Sequence, residues 1–153
     1  SAAVEAIAAA ATPGAPVIAD PVEGYNPMHD LAAAVADAVA ARIGGARLTY
    51  PLMAARQGGK VVRLDAAGLA RKRGAIMAYA PLAEEAEAML RAQPEALAEE
   101  RVLPDAHAWP PAAEPAYERI GAERAARGVY GRTIGYAEHV RPLALMLREA
   151  VPA

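Results

Sequence analysis

PVIADPVEGYNPMHDLAAAVADAVAARIGG, residues 16–45, decides the fold. Pro16-Val17-Ile18-Ala19-Asp20 is a short apolar run between breakers, the pattern of a buried parallel strand. The stretch Glu23-Gly24-Tyr25-Asn26-Pro27-Met28-His29-Asp30 is polar and turn-rich. From about Met28 to Ile43 the chain reads as a helix, with Leu31, Val35, Val39 and Ile43 recurring every four residues and Gly44-Gly45 as its stop. Strand, loop and helix in that order form a βα unit, and in open α/β sheets ligands bind where strands end and helices begin. The chain has three histidines, and the His29-Asp30 pair in this loop is the first candidate for chemistry.

Working outward, residues 2–11 read as a helix stopped by Thr12-Pro13-Gly14. Arg47–Leu52 and Lys60–Leu64 read as two further strands, with Gln57-Gly58-Gly59 as the turn between them. Asp65 is placed to cap a helix running to about Arg91, with Leu69, Ile76, Met77, Leu82, Met89 and Leu90 on one face. Pro81 should kink or split it. Pro94–Val102 reads as a further helix, and Leu103–Pro115, with four prolines, as an irregular surface excursion. Helices over roughly Ala116–Arg127 and Ala137–Ala150 follow. The expectation is one α/β domain over residues 1–153, a Rossmann-like parallel sheet flanked by helices with a C-terminal helical extension. A helix that leads straight into a buried strand is unusual for the start of a doubly wound domain, so the fold is expected to be incomplete at its N-terminus.

Composition narrows the function. A formal charge of −2 gives no reason to expect nucleic acid or an anionic membrane as partner. No cysteine means no disulfide, thiolate nucleophile or thiolate metal site, so any metal must be held by histidine and carboxylate. No apolar run approaches the roughly 18–20 residues of a membrane span, and the start lacks a basic segment and carries Glu5, so a cytoplasmic protein is expected. Phenylalanine is absent and alanine abundant, so the core must be built from close helix contacts.

Glu23, Gly24, Pro27, His29 and Asp30 match in register a motif Glu-Gly-Gly-His-Pro-Asp-His-Asp. The stretch thereby resembles the second metal motif of the PIG-L/LmbE-like family of zinc-dependent N-deacetylases. Arg71–Tyr79 and the closing Tyr130 with Tyr136–Leu143 are similar to later segments of that family. The resemblance implies zinc as cofactor, His29 as a metal ligand, Asp30 as a supporting or base-orienting carboxylate, and hydrolysis of an N-acetylated sugar or related amide. Metal-bound water can lose a proton near neutral pH and attack an amide carbonyl. Two departures matter. Asn26 stands where the family has a histidine, and an amide can offer a hydrogen bond to the reacting carbonyl but cannot shuttle a proton. Met28 replaces an aspartate. The family's other motif, His-Pro-Asp-Asp-Glu, is not found in the sequence; it would supply two ligands and the catalytic base. The chain is therefore expected to be the C-terminal portion of such a domain, completed by another segment, chain or copy, or else a binding module that keeps the fold without the metal site.

His139, three residues after Tyr136 on an expected helix, is a candidate substrate contact; the competing reading is a half-buried structural histidine. His107, beside Trp109 in the proline-rich segment, reads as structural or solvent-exposed, the alternative being that such a loop covers a pocket. Arg71-Lys72-Arg73 reads as a solvated helix face, and Gly128, Gly131 and Gly135 lack the strand and Lys-Ser/Thr ending of a phosphate loop. A sheet edge left open by missing strands would pair with another chain.

Overall fold

In the computed structural model, which describes residues 1–50, 58–80, 83–92, 97–104 and 114–149, the chain is mixed α/β with an open four-stranded sheet. It divides into two compact units, Ser1–Gln57 with Leu103–Ala153, and Gly58–Val102.

In the first unit Ser1 caps α1 (Ala2–Ala10), its Oγ accepting from the Val4 N–H, and the alanine run sustains the helix. The helix stops at Ala11, and Gly14, with φ +75°, turns the chain into β1 (Val17–Ala19). The βα unit forms as expected: α2 spans Pro27–Ile43 and ends on Gly44 in the left-handed conformation, where both glycine N–H groups reach Ala40 O. The buried surface of α2 is wider than the expected stripe. Ala33, Ala34, Ala36, Ala38, Val39 and Ala40 are all buried, whereas Leu31, Val35 and Ile43 are half-buried. The cause is packing on several sides, by α1, β1 and α6 (Arg141–Glu149), and alanine lets these neighbours approach closely. Val4, Ala34, Ala38, Val39, Ala144 and Leu147 form the core.

Strand β1 pairs in parallel with β2 (Arg47–Thr49), Ala19 opposite Thr49. Here the Rossmann-like parallel expectation stops. The next strand in the sheet, β4 (Glu99–Pro104), is antiparallel to β2 through Leu103 and Pro104. The neighbour order is β1-β2-β4-β3, so β2 and β3 (Lys60–Arg63) are not a hairpin pair.

The second unit explains why. Strand β3 pairs antiparallel with β4, Arg63 opposite Glu99 and Lys60 opposite Val102. Residues 99–102 are therefore strand and not the expected helix. Their charges are matched by cations: Arg63 Nε lies 3.0 Å from Glu99 Oε1, and Lys72 pairs with Glu100. The long helix expected after Asp65 is two, α3 (Ala66–Ala78) and α4 (Ala83–Ala92). Asp65 caps α3, its Oδ1 accepting from the Gly68 N–H at 2.6 Å. Pro81, Leu82, Pro51, Leu52, Gln57, Pro94, His107 and Trp109 lie outside the described residues, as does the Met89 side chain.

Back in the first unit, α5 covers Ala116–Ala126, and Tyr136–Val140 forms a π turn continuous with α6. Pro142 follows at once. It has no N–H to give Glu138 O and its ring would crowd that carbonyl, and a widened turn relieves both problems. Among the described residues no helix is long and apolar enough to cross a membrane.

Candidate functional site

The loop between β1 and α2 is held by its own side chains. Asn26 is the N-cap of α2: its Oδ1 accepts from the Met28 N–H at 2.9 Å, and Pro27 follows in the first turn, where a missing N–H costs nothing. Asp30, only 1% exposed, turns inward. Its Oδ1 accepts from the N–H groups of Glu23 at 3.1 Å and Gly24 at 3.2 Å. Gly24, with φ +67°, gives its carbonyl to the Tyr117 N–H at 3.2 Å. The Glu23-Gly24 turn is thus fastened to α2 on one side and to α5 on the other.

Two buried polar atoms here lack a hydrogen-bond partner among the described residues, Asp30 Oδ2 and the Tyr117 hydroxyl. Burial raises the Asp30 pKa above the ordinary carboxylate value, and the Gly24 and Glu23 N–H groups oppose that rise only in part. Burial, then the Asp30 charge, pushes the Tyr117 phenol up as well. Tyr136 is raised by burial and, to a smaller degree, by Asp30.

A second group of side chains gathers where β1 and β2 end. Because the strands are parallel and Ala19 faces Thr49, Asp20 and Tyr50 leave the sheet side by side. The Tyr50 hydroxyl donates to Asp20 Oδ1 at 2.6 Å, and His29 Nδ1 lies 3.7 Å from that same oxygen. The carbonyls at the strand end are met by side chains: Thr49 Oγ1 donates to Ala19 O at 3.0 Å and Arg47 Nη2 to Asp20 O at 3.0 Å. Arg47 also reaches α2, its Nε 3.2 Å from Asp37 Oδ1. The arrangement presents a partly exposed imidazole (43%) backed by a carboxylate and a phenol on a fixed frame. It can hydrogen-bond a small polar molecule at the C-terminal end of a strand.

The four residues singled out by sequence are therefore not one constellation. His29 sits with Asp20, while Asn26 and Asp30 hydrogen-bond backbone of their own loop. His139 Nδ1 accepts from the Gly135 N–H at 3.1 Å, closing the start of the π turn, so its hydrogen bonds stay local. Asp20 and Tyr50 were not singled out by sequence. The signal available was positional, each lying within a stretch read as a strand, but it needed the parallel register to join them.

Zinc in a catalytic site takes three protein donors. Around His29 the structure offers Asp20, and among the described residues no group of three or more His, Asp or Glu side chains is placed to share an ion. The described residues do not by themselves fit a zinc ion. Comparison of the chain with known protein families, with characterised proteins and with solved structures gave no match.

Proposed function

We propose that this chain is a binding module for a small polar molecule, an N-acetylated sugar or a related amide, which meets His29, Asp20 and Tyr50 at the C-terminal end of β1. The observation that carries the reading is the division of labour in the loop. Asn26 caps a helix and Asp30 ties a turn, so the groups that a deacetylase-like reaction would draw on are engaged with backbone. The His29 ring stays accessible, with Nδ1 toward Asp20 and Nε2 available to an acceptor or donor on the ligand.

The resemblance to the PIG-L/LmbE-like enzymes supports the ligand class and the position of the site. A zinc-dependent deacetylase remains the competing reading, in which further donors join His29 from a complementing chain or a second copy. The test is a titration of the protein with N-acetylglucosamine, followed through the His29 and Tyr50 resonances, alongside measurement of acetate release with and without added zinc. Saturable shifts without acetate release are expected. Acetate release that requires stoichiometric zinc would replace the binding module with the enzyme, and no shift at either residue would remove the site.

A further inference from the structure

The second unit holds a cavity unrelated to the loop at β1. It has a volume of about 320 Å³ and is lined by Arg73 and Met77 of α3 and by Glu87, Leu90 and Arg91 of α4. The spacing explains the lining. Arg73 and Met77 are four residues apart, and Glu87, Leu90 and Arg91 are three and four apart, so each set forms one stripe on its helix. Lys72, the neighbour of Arg73, is held by Glu100 of β4.

The chemistry of the lining is specific in sign and polarity. Among the described residues of the lining two guanidinium groups face one carboxylate, which leaves one positive charge. Arg91 Nη1 is 3.6 Å from Glu87 Oε2, and both side chains are more than half exposed, so the pair is weak and leaves donors of Arg91 open. Arg73 has no ion pair among the described residues. A planar guanidinium presents a fork of N–H donors that matches a carboxylate. Met77 and Leu90 are half-buried, and they supply an apolar wall, the methionine being able to adjust to an irregular guest. The volume lies at the small end of the range for ligand pockets.

We infer that the groove between α3 and α4 is a binding site for a small carboxylate carrying a short apolar chain, its carboxylate on Arg73 and Arg91 and its chain against Met77 and Leu90. A strongly hydrated phosphate would gain the charge but leave the apolar wall unused. An uncharged alcohol of the same length would gain the wall and lose the charge.

The test is titration of the isotope-labelled full chain with hexanoate, 1-hexanol and inorganic phosphate. Hexanoate should shift the backbone amides of Arg73, Met77, Leu90 and Arg91 saturably, with Kd on the order of 1 mM. Arg73→Gln should weaken hexanoate about tenfold while leaving hexanol unchanged. Glu87→Gln, which frees Arg91, should strengthen hexanoate, so two variants on one groove move affinity in opposite directions. Phosphate binding as tight as hexanoate, absence of a saturable hexanoate shift, or an Arg73→Gln variant with unchanged hexanoate affinity and an intact spectrum would overturn the inference.

Discussion

His29 Nδ1 lies 3.7 Å from Asp20 Oδ1, so the carboxylate neighbour of this imidazole comes from the end of β1 and not from the adjoining residue of the chain. Asp20 also accepts from Tyr50 at 2.6 Å. One carboxylate thus organises side chains from the ends of two strands and the start of a helix. Tyr50→Phe removes a hydrogen bond to an acidic group, and such bonds contribute about 1–2 kcal/mol in partly buried settings. Urea denaturation should show a lower midpoint with an unchanged slope. Combined with Asp20→Ala, the cycle should give a coupling energy of about 1 kcal/mol. A coupling near zero would mean that the two side chains do not act together.

What was legible in the sequence follows a physical divide. The βα unit and the Asp65 cap were readable because local periodicity, glycine stops and capping residues set them. Glu99–Val102 was misread because its charges suit an exposed helix as well as an edge-facing strand. Only the partners Arg63 and Lys72, distant in sequence, make the strand the better place for them. The same divide runs through the site. Asn26 and His29 were found from the loop itself, but Asp20 and Tyr50 belong together only through the pairing of Ala19 with Thr49. The parallel sheet expected from the first strand pair gave way at β4, whose direction no local pattern in residues 94–104 encodes.

Asp30 should leave a signature in the pH dependence of stability. Its folded-state pKa is raised above the ordinary aspartate value of 3.8, chiefly by burial. Below that value both folded and unfolded chains carry the proton, and the contribution is fully present. As pH rises from about 3.8, the unfolded chain ionises first, so stability falls until the folded-state pKa is passed and is then level. Asp30→Asn keeps an acceptor for the Glu23 and Gly24 N–H groups and removes the charge. The difference in unfolding free energy between wild type and Asp30→Asn should therefore shift in favour of the variant as pH rises through this window. A difference independent of pH would count against a raised pKa. Asp30→Ala loses both bonds and should cost about 2–3 kcal/mol below this window and less as pH rises through it.

Gly24 and Gly14 separate backbone strain from crowding. Both have positive φ, +67° and +75°. A Cβ on Gly24 would sit 3.3 Å from Pro115 Cα, whereas one on Gly14 meets nothing within 4 Å. Gly14→Ala should cost only the left-handed penalty, about 1–2 kcal/mol. Gly24→Ala adds a tight contact with backbone and should cost more, with loss of the Tyr117 N–H bond to Gly24 visible as faster amide exchange at Tyr117. Equal costs would show that the α5 segment yields freely at Pro115.

Asn26 offers the sharpest division between a structural and a ligand-contacting role. As the N-cap of α2 it accepts from the Met28 N–H at 2.9 Å, and replacing a capping Asn by Ala costs about 1 kcal/mol. Ser and Asp cap nearly as well, so Asn26→Ser and Asn26→Asp should return most of the stability lost in Asn26→Ala. If Asn26 serves only as the cap, N-acetylglucosamine affinity should follow stability and recover in both variants. If its amide also meets the ligand, Asn26→Asp should keep the helix and still lose affinity, because a carboxylate cannot donate the hydrogen bond that an amide can. Thermal denaturation and ligand titration on the same three variants decide between the outcomes.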